Sequence, residues 1–256
     1  MVLKKVLFIS PIIMMVLLTA CSNTPPAEKI YNHLEKAVKL EETFEKQQDP
    51  IMELEQEEQE IYKKVIELNM DDMDKIKKLS KKAITNIEKR EKKIKKENES
   101  MQSSKEEFMK IEDILNDLED ESVSNKADNM FNVMSDRYDA YEKLHDAYSD
   151  SLSKEKELYT MLQDKDLKQD ALSDHIEDLN NSYQAVIEAN ETFNNLTNEY
   201  NKLKKEFYDA AEIDVQYDNE NKNNEEKKDK DDKNKKNKDN KDNENKENNP
   251  KSENDK

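Results

Sequence analysis

The chain has 256 residues, and none of them is glycine. A P-loop, a dinucleotide-binding fingerprint, the nucleophile elbow of α/β-hydrolases and an EF-hand loop each need a backbone position that only glycine fills at low energetic cost. Tight β-hairpin turns rely on glycine as well, because it readily adopts positive φ angles. The sequence therefore excludes these classes of site and favours an all-helical fold.

The N-terminus has the features of an export signal. Lys4 and Lys5 precede an apolar run, Val6–Leu18, which is followed by the sequence LTAC ending at Cys21. The run is shorter than the roughly 20 residues that span a membrane. We expect a lipoprotein signal peptide over residues 1–20. Because LTAC resembles a bacterial lipobox, we expect Cys21 to carry acyl chains, such as palmitate, that hold the protein on the extracytoplasmic face of the cell membrane.

Composition divides the rest of the chain into three parts. Residues 21–27 include two prolines and are expected to form a short spacer after the lipidated cysteine. Residues 218–256 consist of 12 Lys, 13 Asp or Glu, 12 Asn, one Pro and one Ser. This C-terminal segment has no apolar residue to bury, so we expect it to be disordered. Residues 28–217 remain as the folded domain.

The folded domain is strongly acidic. Residues 28–217 carry 29 basic and 48 acidic side chains, a net charge of -19. Nucleic-acid binding needs a basic surface that can displace counterions from phosphates, so no nucleic-acid partner is predicted. The charges are expected to cover solvated helix faces, with pairs four residues apart such as Glu88 with Lys92 and Glu91 with Lys95.

Apolar residues recur every seven positions through the folded domain. One row consists of Ile87, Ile94, Met101, Phe108 and Leu115, and a later row of Leu172, Leu179, Val186, Phe193, Tyr200 and Phe207. Such repeats are typical of helices that pack together along one stripe. The pattern changes phase near residues 69–72, 121–124 and 164–167, where Asn, Asp or Ser is available to cap a new helix.

Four segments of similar length predict an all-α fold, an elongated antiparallel four-helix up-and-down bundle with coiled-coil-like packing. An alternative has three principal helices and a first segment split at Asp49-Pro50, because these residue types are favoured where a helix begins. Extended heptads also leave homo-oligomer formation open.

Tyrosine supplies the candidate binding residues. Tyr138, Tyr141, Tyr148 and Tyr159 are concentrated in the third segment. Because a tyrosine has an apolar body and a polar tip, a row of them can contact a glycan or fill the groove of a partner protein. These positions fall on the same heptad rows as the core, so packing inside the bundle is the competing interpretation.

Catalytic, cofactor and metal sites are not predicted. His33, His145 and His175 lie on three different predicted helices, and lipid is expected to occupy the thiol of Cys21, so neither a zinc site nor a cysteine nucleophile is indicated. The many acidic residues do not single out a glycosidase pair, and a narrow bundle offers little concavity for one. We therefore expect a protein that is not an enzyme.

Five stretches carry a resemblance to a known family. They are IYNHLEKAVKLEETFEKQQ from Ile30, NIEKREKKIKKE from Asn86, RYDAYEKLHDAY from Arg137, LYTMLQDKDL from Leu158 and YQAVIEANETFNNLTNEYN from Tyr183. In this order they resemble the YkyA-type cell-wall-binding lipoproteins of low-GC Gram-positive bacteria. The similarity covers the lipobox and nearly all of residues 28–213. It implies a membrane-anchored, all-helical, extracytoplasmic protein, and it supplies no catalytic or ligand residues.

The sequence thus predicts a noncatalytic lipoprotein that contacts peptidoglycan or another envelope protein. The alternative is a small-solute-binding or transporter-accessory lipoprotein, although solute-binding lipoproteins are usually two-lobed α/β proteins rich in glycine. Teichoic acids are anionic, so a domain of net charge -19 is expected to repel them unless divalent cations bridge the two.

Overall fold

The structure of the protein, a computed structural model, describes residues 24–215. The signal peptide expected over residues 1–20, Cys21 and the C-terminal segment from residue 218 lie outside the described residues, so those assignments stay predictions. The described residues belong to one compact unit.

Residues 24–215 form six α-helices and no β-strand. Single 3₁₀ turns precede the third helix at Met70–Asp72 and follow it at Met109–Ile111. The α-helices are α1 (Pro26–Leu40), α2 (Glu42–Ile66), α3 (Met73–Phe108), α4 (Glu112–Leu115), α5 (Glu121–Met161) and α6 (Gln169–Ala210). α1 begins with a proline, which suits a first helical position because its missing N–H would have no partner there.

Three connections separate four long helical segments, formed by α1 with α2, by α3, by α5 and by α6. After α2, the Asn69 side chain accepts a hydrogen bond from the N–H of Asp71 at 2.9 Å. At the start of α5, Asp120 Oδ1 accepts from the N–H groups of Ser122 and Val123 at 2.8 and 3.0 Å. Each segment packs antiparallel to the next, so the all-α four-helix bundle predicted from the heptads is confirmed.

The interruption of the first segment lies at Glu41. The helix α2 continues through Pro50, so the alternative of a split at Asp49-Pro50 is wrong. Proline removes one backbone hydrogen bond from a helix but does not by itself force the chain to reverse. The first segment therefore stays a single arm of the bundle, with a small irregularity eight residues before the expected position.

A side chain from α3 accounts for this irregularity. The hydroxyl of Ser100 donates a hydrogen bond to the carbonyl of Leu40 and accepts one from the N–H of Phe44 at 3.1 Å. In an uninterrupted helix that N–H would bond to that carbonyl directly. Insertion of a polar side chain into the backbone ladder is a known cause of helix irregularities. The position of the break is thus set by a neighbouring helix.

A buried polar network surrounds the same point. Two oxygens of Glu41 accept hydrogen bonds from the guanidinium of Arg137 on α5, at 2.8 and 2.7 Å. Ser104 donates to Glu41 at 3.0 Å and shares a 2.7 Å hydrogen bond with the hydroxyl of Tyr138. The Nε of Arg137 donates to Thr197 of α6 at 2.9 Å. Bidentate, charge-assisted bonds of this kind fix helices in one register.

Two apolar clusters fill the interior. We call the end of the bundle near Thr24 the proximal end and the end near Ile66 the distal end. The larger cluster is at the proximal end and takes side chains from all four segments, including Ile30, Leu34, Phe44, Phe108, Met130, Tyr138, Phe193 and Phe207. The distal cluster consists of Ile51, Ile61, Val65, Ala83, Ile87, Ile94, Leu152 and Tyr159. These residues belong to α2, α3 and α5, and within residues 24–215 no α6 side chain joins them.

Candidate functional site

A groove opens at the distal end between α2, α5 and α6, and it encloses about 640 Å³. Volumes of several hundred Å³ are typical of sites that bind small ligands or segments of larger ones. Its apolar wall is formed by Leu158, Ile176, Leu179, Val186 and Ile187. Two apolar side chains of α2 lie at its exposed rim, Tyr62 and Ile66, and the latter is 62% exposed.

The groove lies where α6 contributes no side chain to the distal apolar cluster among the described residues. Towards the middle of the bundle, the rings of Phe44 and Phe193 lie 5.9 Å apart and connect α2 with α6. Nearer the distal end, the interior between α3, α5 and α6 is occupied by the large polar side chains Arg90, Glu155 and Tyr183. The groove lies beside this polar network.

The base of the groove holds a buried ion pair. Arg90 of α3 pairs with Glu155 of α5, and their side chains are 3% and 4% exposed. Tyr183 of α6 donates a hydrogen bond to Glu155 at 2.9 Å. Burial acts to lower the pKa of Arg90, but the charge of Glu155 and the hydrogen bonds outweigh it and raise that pKa. The guanidinium is therefore permanently charged and joins three helices at one point.

Two further carboxylates face tyrosine hydroxyls. Tyr148 donates to Glu55 at 2.7 Å, and Tyr159 donates to Glu58. Burial raises the pKa of Glu55, and burial together with the charge of Glu155 raises the pKa of Glu58. Neither Glu55 nor Glu58 forms an ion pair within the described part of the chain. Each carboxylate instead accepts a hydrogen bond from a tyrosine hydroxyl.

The groove is suited to neutral or cationic groups. Burial raises the pKa of the Tyr148, Tyr159 and Tyr183 phenols, which therefore stay protonated and act as donors. Two incompletely compensated carboxylates disfavour an anionic ligand. Among residues 24–215, Arg90 Nε is buried and has no hydrogen-bond partner, so the ion pair leaves one donor of the guanidinium unsatisfied. Tyrosine rings, carboxylate acceptors and an apolar wall together match the alternating polar and apolar surface of a sugar.

The structure divides the four tyrosines singled out from the sequence into two pairs. Tyr138 and Tyr141 are 1% and 3% exposed and lie in the proximal core. Tyr141 packs edge-on against Phe44, with ring centroids 5.6 Å apart. Tyr148 and Tyr159 line the groove. Tyr159 is nevertheless 0% exposed and belongs to the distal apolar cluster, so of the four only Tyr148, which is half-buried, has surface that a ligand in the groove can contact.

Sequence reasoning missed the charged half of this site. Arg90 lies between Ile87 and Ile94 in the heptad, and Glu155 lies between Leu152 and Tyr159, so both occupy positions expected to be apolar. Charged residues at such positions are the signal that identifies them, because isolated charges are rarely buried without partners. The spacing alone does not show which of them pair.

The three histidines do not converge. His33 Nδ1 lies 2.8 Å from a carboxylate oxygen of Glu107, and His175 Nε2 lies 2.8 Å from the carbonyl of Lys154. Across residues 24–215, no group of three or more His, Cys, Asp or Glu side chains is arranged to hold a metal ion. In the same part of the chain, no helix is both long and apolar enough to cross a membrane.

Comparisons with known proteins agree with the fold. A conserved Staphylococcus aureus protein of unknown function has a crystal structure that matches with a TM-score of 0.64 at 20% identity, covering 75% of this chain and 97% of that one. The "Uncharacterized lipoprotein YkyA" of Bacillus subtilis (strain 168) is 38% identical over 198 residues, which are 77% of this chain and 89% of the relative. The model of the family described as "YkyA: Putative cell-wall binding lipoprotein" matches residues 25–210. The chain therefore belongs to the YkyA family of lipoproteins.

Proposed function

We propose that this protein is a noncatalytic lipoprotein, anchored by lipid at Cys21 to the extracytoplasmic face of the cell membrane, that binds peptidoglycan through the distal groove. The observation that carries the proposal is the position of the groove. It lies at the opposite end of the bundle from Thr24, the first described residue after Cys21. At 1.5 Å per helical residue, the groove is roughly 40 to 60 Å from that end. An anchored bundle would present it towards the wall.

The chemistry of the groove supports a neutral glycan as the ligand. The half-buried rings of Tyr148 and Tyr183 and the apolar wall can cover a sugar face, while the half-buried carboxylate of Glu55 offers a hydrogen-bond acceptor to hydroxyl and acetamido groups. The family description supports wall binding over the alternative of a solute-binding or transporter-accessory lipoprotein. A noncatalytic role is supported by the pairing of each groove carboxylate with a phenol or a guanidinium.

Co-sedimentation with purified sacculi stripped of teichoic acid tests the proposal. The protein used is the chain from Ser22 to Lys256. Asn180 is exposed and lines the groove, so Asn180→Trp should obstruct it without removing a core side chain. Its neighbour Asn181 is exposed but does not line the groove, which makes Asn181→Trp the matched control.

We expect saturable pelleting of the unmodified chain, a loss of at least tenfold in affinity for Asn180→Trp, and no change beyond twofold for Asn181→Trp. Equal effects of the two substitutions would remove the groove from the proposal. If neither the unmodified chain nor a variant pellets with the sacculi, direct peptidoglycan binding is rejected and the search moves to envelope proteins. Release of soluble muropeptides by the purified chain would contradict the noncatalytic assignment.

A further inference from the structure

The charge of α3 is opposite to that of the other long helices. α3 carries 12 basic and 7 acidic residues, a net charge of +5. By contrast, α2 has 3 basic and 8 acidic residues, α5 has 5 and 9, and α6 has 3 and 9. Ten of the basic residues of α3 are lysines between Lys75 and Lys96. A net charge of -18 for the whole chain therefore conceals one basic element.

Exposed lysines form a continuous stripe on α3. Steps of three, four and seven residues bring side chains to one side of a helix. We call this stripe the lysine face, and it consists of the exposed residues Lys78, Lys81, Lys82, Lys89, Lys92 and Lys96.

The lysine face is not neutralised by its surroundings. Within residues 24–215 none of its six members forms an ion pair. The two acidic residues in this part of α3, Glu88 and Glu91, lie 3.4 and 3.8 Å from Lys156 of α5. They face α5 and do not form the pairs with Lys92 and Lys95 that their spacing predicts. The charge of the stripe is therefore open to solvent.

Folding alone does not account for such a stripe. Lysines four residues apart, as in Lys78 with Lys82 and Lys92 with Lys96, repel one another and destabilise a helix. The chain has abundant acidic residues that could relieve this repulsion, yet most of them lie on other helices, and Glu88 and Glu91 of α3 face Lys156 of α5. A line of unpaired cations is the arrangement that binds a linear polyanion, because each contact releases condensed counterions.

We propose that the lysine face of α3 binds a phosphodiester-linked wall polymer of the teichoic-acid type. The inference deepens the proposed wall binding and rests on it only for the envelope location, since the surface is separate from the groove. It also revises the expectation that net charge would repel such polymers. Local charge decides the contact, because the potential of distant carboxylates is screened over about 8 Å at physiological salt.

The position of the stripe favours a wall polymer over the membrane surface. The C-terminal residue of α3, Phe108, packs with Ile30 at the proximal end. Lys96 and Lys78 lie 12 and 30 residues before it, or roughly 20 and 45 Å along the helix. If lipid anchors the proximal end to the membrane, most of the lysine face lies farther from the anionic headgroups than the screening length.

Binding of purified poly(glycerol phosphate) teichoic acid, measured by calorimetry at several NaCl concentrations, tests the inference. The chain from Ser22 to Lys256 is compared with a stripe variant carrying Lys82→Gln, Lys89→Gln and Lys96→Gln. The matched control changes three exposed lysines on other helices, Lys39→Gln, Lys64→Gln and Lys143→Gln. Both variants lose the same charge, and removing repulsion should leave the stripe variant folded.

We expect the stripe variant to bind at least tenfold more weakly, with a log–log salt slope that is smaller by about 2, while the control stays within twofold. Equal losses in the two variants, or equally tight binding of phosphatidylglycerol vesicles, would overturn the inference. The stripe variant should still pellet with stripped sacculi, and Asn180→Trp should still bind the polymer. If the unmodified chain pellets with stripped sacculi but does not bind the polymer, this inference alone is contradicted. If it binds the polymer but does not pellet with stripped sacculi, the groove proposal alone is contradicted.

Discussion

Arg90, Arg137, Glu97 and Glu155 are charged residues at heptad positions that face the interior, and each is at most 6% exposed. Buried ion pairs add little net stability over apolar residues of similar size, but removal of one partner is costly. Their value lies in defining which helices meet and in which register. In this bundle, Arg137 joins α5 to the break in the first segment, and Arg90 joins α3 to the groove.

The pair formed by Glu41 and Arg137 predicts a strong coupling. Arg137→Met should lower the free energy of unfolding by about 3 kcal/mol, because it leaves the Glu41 carboxylate, which is 16% exposed, without its partner. Glu41→Gln in the same chain should recover part of that loss, with a coupling of about 1 kcal/mol or more in a double-mutant cycle measured by urea denaturation. The control pair, Lys126 and Glu206, is over a third exposed and should couple by less than about 1 kcal/mol. Additive effects at Glu41 and Arg137 would contradict the assignment.

Glu97 predicts a pH dependence of stability. Burial raises the pKa of its carboxyl from 4.5 to about 8, and Gln48 donates a hydrogen bond to it. The folded state then holds the proton more tightly than the unfolded state, so this contribution is present below pH 4.5 and is lost as the pH rises towards 8. Glu97→Gln should remove this pH dependence, because glutamine stays neutral at every pH. At pH 8 the variant should therefore have a melting temperature higher by roughly 5 °C or more than the unmodified chain.

The measurement is thermal unfolding at pH 5 and pH 8, followed by circular dichroism. Burial also raises the pKa of Glu55 and Glu58, so the test is the difference between variant and unmodified chain at each pH. Glu99→Gln is the control, because this neighbouring glutamate is exposed. Identical pH dependence in the Glu97→Gln variant and the unmodified chain would show that this carboxyl ionises normally.

At the scale of the helix, the break at Glu41 depends on a single hydroxyl. Ser100→Ala removes the group that satisfies both the Leu40 carbonyl and the Phe44 N–H. We expect a loss of about 1 to 2 kcal/mol in the free energy of unfolding, because buried backbone groups are left to find new partners. Ser103→Ala should change it by less than about 0.5 kcal/mol, since that exposed hydroxyl bonds only to its own helix. The free energies are measured by denaturant unfolding, and equal losses for Ser100→Ala and Ser103→Ala would show that the break has another cause.

The two halves of α6 are expected to differ in local stability. The C-terminal half supplies Phe193, Tyr200 and Phe207 to the proximal core, while the N-terminal half borders the groove and adds nothing to the distal cluster among the described residues. Local opening is easiest where few apolar contacts are made. Hydrogen exchange measured by mass spectrometry should be faster in residues 170–185 than in residues 193–208. Uniform protection along α6 would mean that the groove does not weaken the helix.

At the scale of the whole molecule, the proposed function depends on the predicted lipid attachment at Cys21 and on the arrangement of surfaces relative to it. Cys21→Ala should abolish metabolic labelling with an alkyne analogue of palmitate and move the protein out of the membrane fraction, because the acyl chains supply the membrane affinity. Ser22→Ala is the control and should remain labelled. Unchanged labelling of Cys21→Ala would contradict lipidation at this residue.

The sequence by itself determined the helices, two of the three connections and the family. These properties follow from local information, because a heptad repeat, a capping residue or a lipobox is read within a few neighbouring positions. The sequence predicts the second connection near residues 121–124, which lie in the first turn of α5, whereas the structure places it at residues 116–120. Tertiary structure decided the rest. Ser100, sixty residues away in sequence, places the break at Leu40, and Arg90 finds its partner in Glu155. Which carboxylates border the groove, and which lysines stay unpaired, depends on contacts between helices that periodicity does not encode.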